Sequence, residues 1–356
     1  MQIQMKELLS NKNIFLYGAG NLGRKLHHFL KSNDIEIKAF LDKKENTLPI
    51  EGTIAINPFT SEIDTANAIV IVSVFNRDID FTVIKEQLLH IGFEKVISFL
   101  EFYPYCSGEL GDWYWMSNNK EYLYDDKTLN FVSDLLKDTL SKDIFASVIN
   151  TRKSNNYEFF PKKYPIEEQY FSKDIPLRNY AEFIDCGAYD GDTLDAMKSN
   201  EYTTQKIYAF EPDLQNFQKL SDKVKKYHRQ AVLFPCGVHS HTELLCFNSG
   251  AGEGSAISKE GEAMIQCVAL DDVLIHTVSG PAFLKMDIEG AELSALKGAE
   301  NLIRNADVDL AICVYHKPTD IVEIPQLIST YGDYDFYLRL YGYYGMDLVL
   351  YALKKK

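Results

Sequence analysis

The sequence predicts an α/β protein made of two doubly wound domains, each with a mostly parallel sheet and helices on both faces. Short apolar runs of strand length alternate with stretches of helical periodicity along most of the chain, a pattern typical of βαβ units. A glycine-rich turn follows the first predicted strand of each domain. The chain ends in two strand-like runs joined by G-Y-Y-G, which predicts that the second sheet finishes in an antiparallel hairpin.

Length and composition exclude several classes of protein. The chain has 356 residues, enough for two ordinary cores, and its formal net charge of −14 disfavours a protein that wraps nucleic-acid backbone. No apolar run is long enough to span a membrane, and the N-terminus lacks the apolar segment of a signal peptide. The six cysteines show no C-x-x-C spacing, which predicts buried free thiols and a cytoplasmic location. An oligomer is compatible with all of these features.

Residues 1–103 are predicted to form a small Rossmann-like domain. The turn after its first strand matches G-x-G-x-x-G at Gly18, Gly20 and Gly23. Asp42 ends the next strand, where a carboxylate can accept hydrogen bonds from a ribose. These four residues predict a site for a nucleotide or nucleotide sugar. The alternative is a scaffold whose glycines only permit close packing of helix on strand.

The middle of the chain continues this domain and then changes character. Strands are predicted over residues 68–74 and 93–99, with a helix over 84–91 between them. Residues 104–180 are first aromatic and rich in turns, and then show helical spacing over 126–150. We interpret this segment as a helical bridge between the two domains.

The second glycine turn lies in E-F-I-D-C-G-A-Y-D-G-D-T-L, between a buried strand and a helix that begins at Thr193. Glycine lets the backbone approach a ligand closely, and such a turn opens the crevice of an α/β sheet. The following strand ends on Glu211, whose carboxylate can accept two hydrogen bonds from a ribose diol. The spacing D-x-G-x-x-x-G differs from a dinucleotide turn, and three carboxylates surround it at Asp185, Asp190 and Asp192.

Carboxylates at this turn would repel a pyrophosphate, but they suit a cofactor that carries an ammonium and a sulfonium. S-adenosylmethionine carries both groups. We therefore predict that it binds here, with contacts from Asp185, Gly187, Ala188, Tyr189, Gly191, Thr193 and Glu211.

Four motifs follow one another in the second half of the chain: D-x-G-A-x-x-G, F-E-P, L-D-D and K-x-D-x-E-G-A-E-x-x-x-L-x-G-A, at residues 185–191, 210–212, 270–272 and 285–299. In these motifs the sequence resembles the FkbM family of S-adenosylmethionine-dependent methyltransferases. The resemblance implies a class I methyltransferase-like domain over residues 181–356. It also implies that Gly237 borders the adenine. Tyr170, in an E-Q-Y-F segment that is similar to FkbM-like proteins, is placed over the methionine end of the cofactor, or else is one more packed aromatic.

The remaining elements of this domain follow from the pattern. Strands are predicted over residues 231–234, 244–247, 264–269, 281–285 and 309–315, and a helix over 289–299. The segment at 249–261 is rich in glycine and serine. We interpret it as a lid over the acceptor site, with a loose hairpin loop as the alternative.

Oxygen is the predicted methyl acceptor, because the chain has K-M-D-I-E-G where nitrogen methyltransferases tend to carry a D/N-P-P-Y/F-type loop. An acceptor hydroxyl needs a base, and His316 is predicted as that base because an imidazole titrates near neutrality. Asp287 is predicted to orient it, and Glu289 to sit at a helix start where the macrodipole favours a carboxylate. These three side chains can hold a hard cation together, but their spacing does not demand one, and we predict no metal.

The leading hypothesis is an S-adenosylmethionine-dependent O-methyltransferase that acts on a sugar hydroxyl of a glycan or nucleotide sugar. The sugar is implied by the resemblance and by the N-terminal domain. One alternative is a nicotinamide-dependent sugar-modifying enzyme that uses the N-terminal domain. The other is a non-catalytic scaffold of a glycan-assembly complex.

Overall fold

The structure is a computed structural model, and it describes residues 2–44, 49–50, 52–225, 230–248, 256–257, 261 and 263–356. The chain folds into two compact units. Unit 1 consists of Met1–Leu123, Ser147–Pro161 and Gly342–Met346, and unit 2 of Tyr124–Ala146, Lys162–Tyr341 and Asp347–Lys356. The predicted domains are continuous stretches of sequence, whereas each unit collects separate segments.

Unit 1 is built on a five-stranded parallel sheet with strand order β3-β2-β1-β4-β5. Its strands are β1 (Asn13–Tyr17), β2 (Ala39–Leu41), β3 (Ala55–Ile56), β4 (Ala68–Val72) and β5 (Lys95–Ser98). The strand order reverses direction beside β1, which is the arrangement of a doubly wound sheet. The predicted Rossmann-like sheet is thus present in this unit.

The helices of unit 1 follow local capping signals. They are α1 (Gln2–Leu9), α2 (Asn21–Ser32), α3 (Phe81–Ile91) and α4 (Phe99–Leu110). Asp80 caps α3, and Gly92 ends it in the left-handed conformation. The predicted strand over 93–99 is shorter in the structure, because Ser98 and Glu101 form a capping box that starts α4 directly after β5. The sequence analysis missed this helix.

Unit 2 contains a seven-stranded sheet with order β15-β16-β14-β13-β6-β7-β8. Its strands are β6 (Glu182–Cys186), β7 (Lys206–Phe210), β8 (Gln230–Phe234), β13 (Ala282–Met286), β14 (Val308–Cys313), β15 (Tyr334–Leu340) and β16 (Leu348–Lys354). Six strands run in the same direction, and β16, which lies between β14 and β15, runs antiparallel to both of these neighbours. The predicted mostly parallel sheet with a terminal antiparallel hairpin is confirmed.

A second, four-stranded sheet has the order β11-β10-β12-β9. Its strands are β9 (Gly237–Val238), β10 (Glu243–Asn248), β11 (Ala256–Ile257) and β12 (Ala263–Val268). β10 and β12 correspond to two of the predicted strands, and they pair in antiparallel orientation. The proposed lid at 249–261 lies largely outside the described residues.

Two predicted helices have different bounds in the structure. The helical segment over 126–150 is interrupted at Leu136, whose backbone is extended. The helix predicted over 289–299 begins only at Glu292. From residue 126 onwards, the α-helices are α5 (Asp126–Leu135), α6 (Thr139–Ser154), α7 (Asp192–Ser199), α8 (Leu214–Val224), α9 (Leu270–Leu274), α10 (Glu292–Lys297), α11 (Glu300–Asn305) and α12 (Asp320–Ser329).

The core of unit 2 lies around the middle of its large sheet. Every residue of β6, β13 and β14 is buried, as expected for parallel strands covered on both faces. All six cysteines are free thiols, and all but Cys246 are buried. None of the described helices combines the length and apolarity needed to cross a bilayer.

Candidate active site

The candidate site lies at the carboxyl ends of the central strands of unit 2. β6 is the point where the strand order reverses, with β7 on one side and β13 on the other. In open α/β sheets the ligand crevice forms at such a switch point. The predicted residues Asp185, Glu211, Asp287 and His316 all lie in or just after these strand ends.

The turn after β6 contains two glycines with left-handed backbone. Gly187 has φ +79°, and a Cβ there would lie 1.9 Å from the carbonyl oxygen of Asp287. The backbone nitrogens of Gly187 and Ala188 both donate to the carbonyl of Phe210 at 3.0 Å. Gly191 has φ +86°, so it too favours glycine. The turn is therefore held closely between the ends of β7 and β13.

Glu211 is the carboxylate at the tip of β7, and it closes the turn. Its Oε2 accepts from the backbone nitrogen of Tyr189 at 2.9 Å, and its Oε1 accepts from that of Asp213 at 2.8 Å. Burial raises the pKa of Glu211 to about 7, although these two backbone donors oppose the shift. The carboxylate is therefore fixed in place and remains close to its titration point near neutral pH.

Asp185 forms a buried ion pair that the sequence analysis did not anticipate. Lys285 Nζ lies 3.1 Å from Asp185 Oδ1 and donates to the carbonyl oxygen of Gly187 at 2.6 Å. Burial raises the pKa of Asp185 to about 6, with Lys285 opposing the shift. In the sequence, Lys285 could be recognised only as the first residue of the motif at 285–299. Its position opposite an acidic residue on the paired strand β6 was the signal that could have identified it.

The other carboxylates of the turn serve different purposes. Asp190 is 3.4 Å from the ammonium of Lys223, which also contacts Asp195 at 2.7 Å. Thr193 is buried in the first turn of α7, and its backbone nitrogen donates to Asp192. The negative charge at this turn is thus partly balanced by Lys223, which lies on α8.

Gly237 lies in β9 of the smaller sheet. It is paired with Cys267, and a Cβ at this position would lie 2.8 Å from the Cys267 sulfur. Packing alone therefore accounts for glycine at this position. The predicted contact of Gly237 with an adenine stays a prediction.

Tyr170 is buried and has left-handed backbone, with φ +68°. Its hydroxyl donates to Asp287 Oδ2 at 2.8 Å, and its backbone nitrogen donates to the hydroxyl of Tyr351 at 3.0 Å. Lys285 Nζ lies 5.4 Å from the centre of its ring. Tyr170 therefore connects the buried lysine with Asp287, the residue predicted to orient the base.

Asp287 and His316 meet as predicted. His316 Nε2 is 3.3 Å from Asp287 Oδ1 and 3.6 Å from Glu289 Oε2. Burial would raise the pKa of Asp287, but His316 and Lys285 outweigh it and hold the pKa below its ordinary value. The imidazole itself is almost completely enclosed, with 3% of its side chain exposed.

The prediction that Glu289 begins a helix is wrong. Glu289 has φ +53° and precedes the helix, and Glu292 is the first residue of α10. Gly290, with φ +91°, continues the left-handed turn between them. This turn directs both carboxylates towards His316, and the sequence analysis missed Glu292 because it placed residue 289 on the helix.

Glu292 is fully buried and completes the surroundings of the imidazole. Its Oε1 lies 2.9 Å from His316 Nδ1 and accepts from the backbone nitrogen of Ile288 at 2.8 Å. Burial would lower the pKa of His316, but the carboxylates of Glu292, Glu289 and Asp287 raise it to about 10. At neutral pH the imidazole is therefore protonated on both nitrogens.

The glycine turn of unit 1 has the shape that its motif predicts. A Cβ at Gly23 would lie 2.0 Å from the carbonyl oxygen of Gly18, whereas a Cβ at Gly20 would meet nothing within 4 Å. Asp42 Oδ2 accepts from the backbone nitrogen of Ala19 at 3.0 Å. Gly23 thus serves packing, and Gly20 leaves open space at the start of α2. Whether this turn binds a nucleotide stays a prediction.

The strand order of unit 2, its terminal hairpin and its glycine turn define a class I methyltransferase fold. Residues 185–343 match the sequence model of the family described as Methyltransferase FkbM domain. This part of the chain is therefore an FkbM methyltransferase domain, and the resemblance seen in its motifs is confirmed.

The known proteins that are similar to the chain include a solved structure and a curated methyltransferase. The crystal structure of methyltransferase FkbM from Methylobacillus flagellatus KT has a TM-score of 0.78 and 20% sequence identity, covering 98% of this chain and 92% of that one. At 20% sequence identity, this structural similarity shows that the two chains share a fold. A hexuronic acid methyltransferase of Haloferax volcanii, AglP, is 27% identical over 131 residues, or 36% of this chain and 54% of AglP. The match thus spans about half the length of that relative.

Proposed function

We propose that the protein is an S-adenosylmethionine-dependent O-methyltransferase that acts on a sugar hydroxyl of a glycan or nucleotide sugar. The observation that carries the proposal is the Glu211 carboxylate, held at the tip of β7 beside a turn that admits only glycine at Gly187. A carboxylate at the carboxyl end of a strand beside the switch point can accept hydrogen bonds from a ribose diol, which supports a nucleoside site here. S-adenosylmethionine supplies a methyl carbon already activated on a sulfonium.

The residues of the turn fit this cofactor. Each carboxylate oxygen of Glu211 accepts one backbone hydrogen bond, and a carboxylate offers about four acceptor sites, so a ribose diol can add two more. No donor among the described residues reaches the buried oxygens of Asp185 with good hydrogen-bond geometry, although Lys285 balances their charge. Asp185 acts through Lys285, which holds the carbonyl of Gly187 and thereby the turn.

The acceptor side is formed by Asp287 and His316. The sequence predicts His316 as the base, but the surrounding carboxylates keep its imidazole protonated at neutral pH. We therefore assign the acceptor hydroxyl to the half-buried carboxylate of Asp287, which His316 and Tyr170 orient. Asp287 accepts the hydroxyl proton as the oxygen bonds to the methyl carbon and the carbon–sulfur bond breaks, which leaves S-adenosylhomocysteine. Alignment of the hydroxyl with the methyl carbon is the main contribution that the chain can make to an in-line displacement.

A sugar is the proposed acceptor class for two reasons. The name of AglP assigns hexuronic acid methylation to that relative, and the match to it includes 36% of this chain. The hydrogen-bonding groups at the acceptor side, Asp287, Glu289 and His316, are suited to hydroxyls rather than to an apolar substrate. The free thiols support the predicted cytoplasmic location.

The experiment is methyl transfer to a panel of nucleotide sugars and hexuronic acid glycans, read as release of S-adenosylhomocysteine and as a mass gain of one methyl group. Glu211→Ala should lose cofactor affinity because the ribose diol loses its acceptor. His316→Ala should keep that affinity and lose turnover because Asp287 is no longer oriented. Cofactor binding without turnover on any hydroxyl acceptor would favour the scaffold alternative. NADH binding without S-adenosylhomocysteine binding would favour the nicotinamide alternative.

A further inference from the structure

We propose that Asp287, Glu289 and His316 form a binding site for one divalent cation of the kind that accepts mixed oxygen and nitrogen ligands, such as Mn²⁺. One ligand atom from each residue lies within 4.8 Å of the other two. Carboxylate oxygens suit Mn²⁺, and imidazole extends the choice to Zn²⁺ and Fe²⁺. This inference departs from the prediction of no metal.

The three ligand atoms lie close to one another. His316 Nε2 faces Asp287 Oδ1 at 3.3 Å and Glu289 Oε2 at 3.6 Å. Asp287 Oδ1 is a buried atom, and no donor in the described part of the chain reaches it with good hydrogen-bond geometry. The side chains of Asp287 and Glu289 are 22% and 23% exposed. The chain thus supplies one face of a coordination sphere and leaves the opposite face accessible, as in catalytic metal sites.

The second ring nitrogen of His316 is held as in known metal sites. Glu292 Oε1 lies 2.9 Å from Nδ1, and Glu292 is itself fully buried and fixed by the backbone nitrogen of Ile288. A histidine that binds a metal nearly always donates its other N–H to a carboxylate or carbonyl, which sets the tautomer and the orientation of the ring. The buried carboxylate behind His316 therefore directs Nε2 towards Asp287 and Glu289.

The charges of the site also favour a cation. Three carboxylates contact the one imidazole, those of Asp287, Glu289 and Glu292. Lys285 is engaged by Asp185 and the carbonyl of Gly187, and the side chain of Lys317 runs beside Gly290. Three carboxylates around one imidazole leave an excess of negative charge, and a divalent ion would balance this charge from the accessible side.

The role of the cation rests on the proposed function. A divalent ion with open positions can bind two neighbouring oxygens of a sugar, either two hydroxyls or a hydroxyl beside a carboxylate. It lowers the pKa of a bound hydroxyl and also orients it. The cation would take the place of a proton on His316 Nε2, since a histidine binds a metal only as the neutral imidazole, and it would then activate the acceptor directly.

The test uses the full chain, stripped of metal with EDTA and dialysed, in the absence of methyl donor and acceptor. MnCl₂ is titrated, and free Mn²⁺ is followed by its EPR signal. We expect one Mn²⁺ per chain, and binding at least about ten-fold weaker in Glu289→Gln, because the variant loses a charged ligand. The control is Glu323→Gln, an exposed carboxylate on α12, which should bind like the wild type. Thermal unfolding of each variant shows that it is folded.

Equal Mn²⁺ binding by the wild type and Glu289→Gln, or no binding by the wild type, overturns the site. His316→Gln is the second variant, and it too must weaken binding. The assay is independent of methyl transfer, so the two proposals can fail separately. Specific Mn²⁺ binding without turnover on any sugar contradicts the proposed function alone. Turnover that EDTA does not reduce, in a protein that binds no Mn²⁺, contradicts the metal site alone.

Discussion

At the residue scale, the candidate site combines a left-handed glycine turn and a strand-end carboxylate with two buried contacts, Lys285 to Asp185 and Glu292 to His316. Gly187, Gly191 and Glu211 could be identified from their types and spacing, because a left-handed turn and a strand-end carboxylate have local signals. The roles of Lys285 and Glu292 could not be predicted in this way. Both depend on which side chains face each other across paired strands and turns, and that is decided by the tertiary structure.

The raised pKa of Glu211 gives a prediction for cofactor binding at the residue scale. The carboxylate must be ionised to accept both ribose hydroxyls, and burial raises its pKa to about 7. We therefore expect the affinity for 5′-methylthioadenosine, which has the ribose but no ammonium, to be roughly four-fold weaker at pH 6.5 than at pH 8.5. Isothermal titration calorimetry measures this difference.

The matched variant is Glu211→Gln, whose amide does not titrate. It should bind more weakly than the wild type and show little change over the same pH range. Parallel pH profiles for the two proteins would show that Glu211 is not the titrating group.

At the scale of elements, the strands and the terminal hairpin follow the pattern of apolar runs closely. The errors lie at helix boundaries, where a helix start depends on one or two side chains. The capping box of Ser98 and Glu101 was present in the sequence, but it lay within an apolar run that the analysis assigned to a strand. The left-handed turn at Glu289 could not be predicted, because residues other than glycine rarely adopt it.

At the scale of elements, the first turn of α2 gives a prediction about stability. Gly23→Ala should lower the free energy of unfolding by about 1–3 kcal/mol, because its Cβ would overlap the carbonyl oxygen of Gly18 at 2.0 Å. Gly20→Ala should cost only about 0.5 kcal/mol, since it meets open space and only weakens the helix cap. Urea unfolding measures both. Equal losses would mean that close packing at Gly23 does not explain the motif.

At the scale of the whole molecule, unit 2 joins segments that are far apart in sequence. The buried guanidinium of Arg339, on β15, contacts Asp174 at 2.9 Å and Asp138 at 2.8 Å, and donates to Ser141 at 2.8 Å. Burial of the Asp138 carboxyl would raise its pKa, but the hydrogen bonds from Arg339 and Ser141 lower that pKa overall. This cluster ties the segment before α6 to the terminal hairpin.

Arg339→Ala should therefore reduce stability by about 3–5 kcal/mol, because two carboxylates lose their buried partner. Since the pKa of Asp138 is lowered in the folded state, its contribution is present above its ordinary pKa and is lost as the pH falls through the folded value. The control is Arg304→Ala, an exposed ion pair with Glu300, expected to cost less than about 1 kcal/mol. Similar urea midpoints for the two variants would contradict this role of Arg339.

The path of the chain through the terminal hairpin also matters for how this protein can be divided. Strands β15 and β16 belong to unit 2, whereas Gly342–Met346 between them belongs to unit 1, where Trp115 Nε1 donates to the carbonyl of Tyr344 at 2.8 Å. A cut at a single point, such as before residue 181, would deprive the N-terminal fragment of this contact. It would also leave the C-terminal fragment without Asp138 and Asp174. Separate expression of the two halves should therefore give two incomplete proteins. A gene rearrangement that moves one unit to another protein must include segments from both ends of the chain.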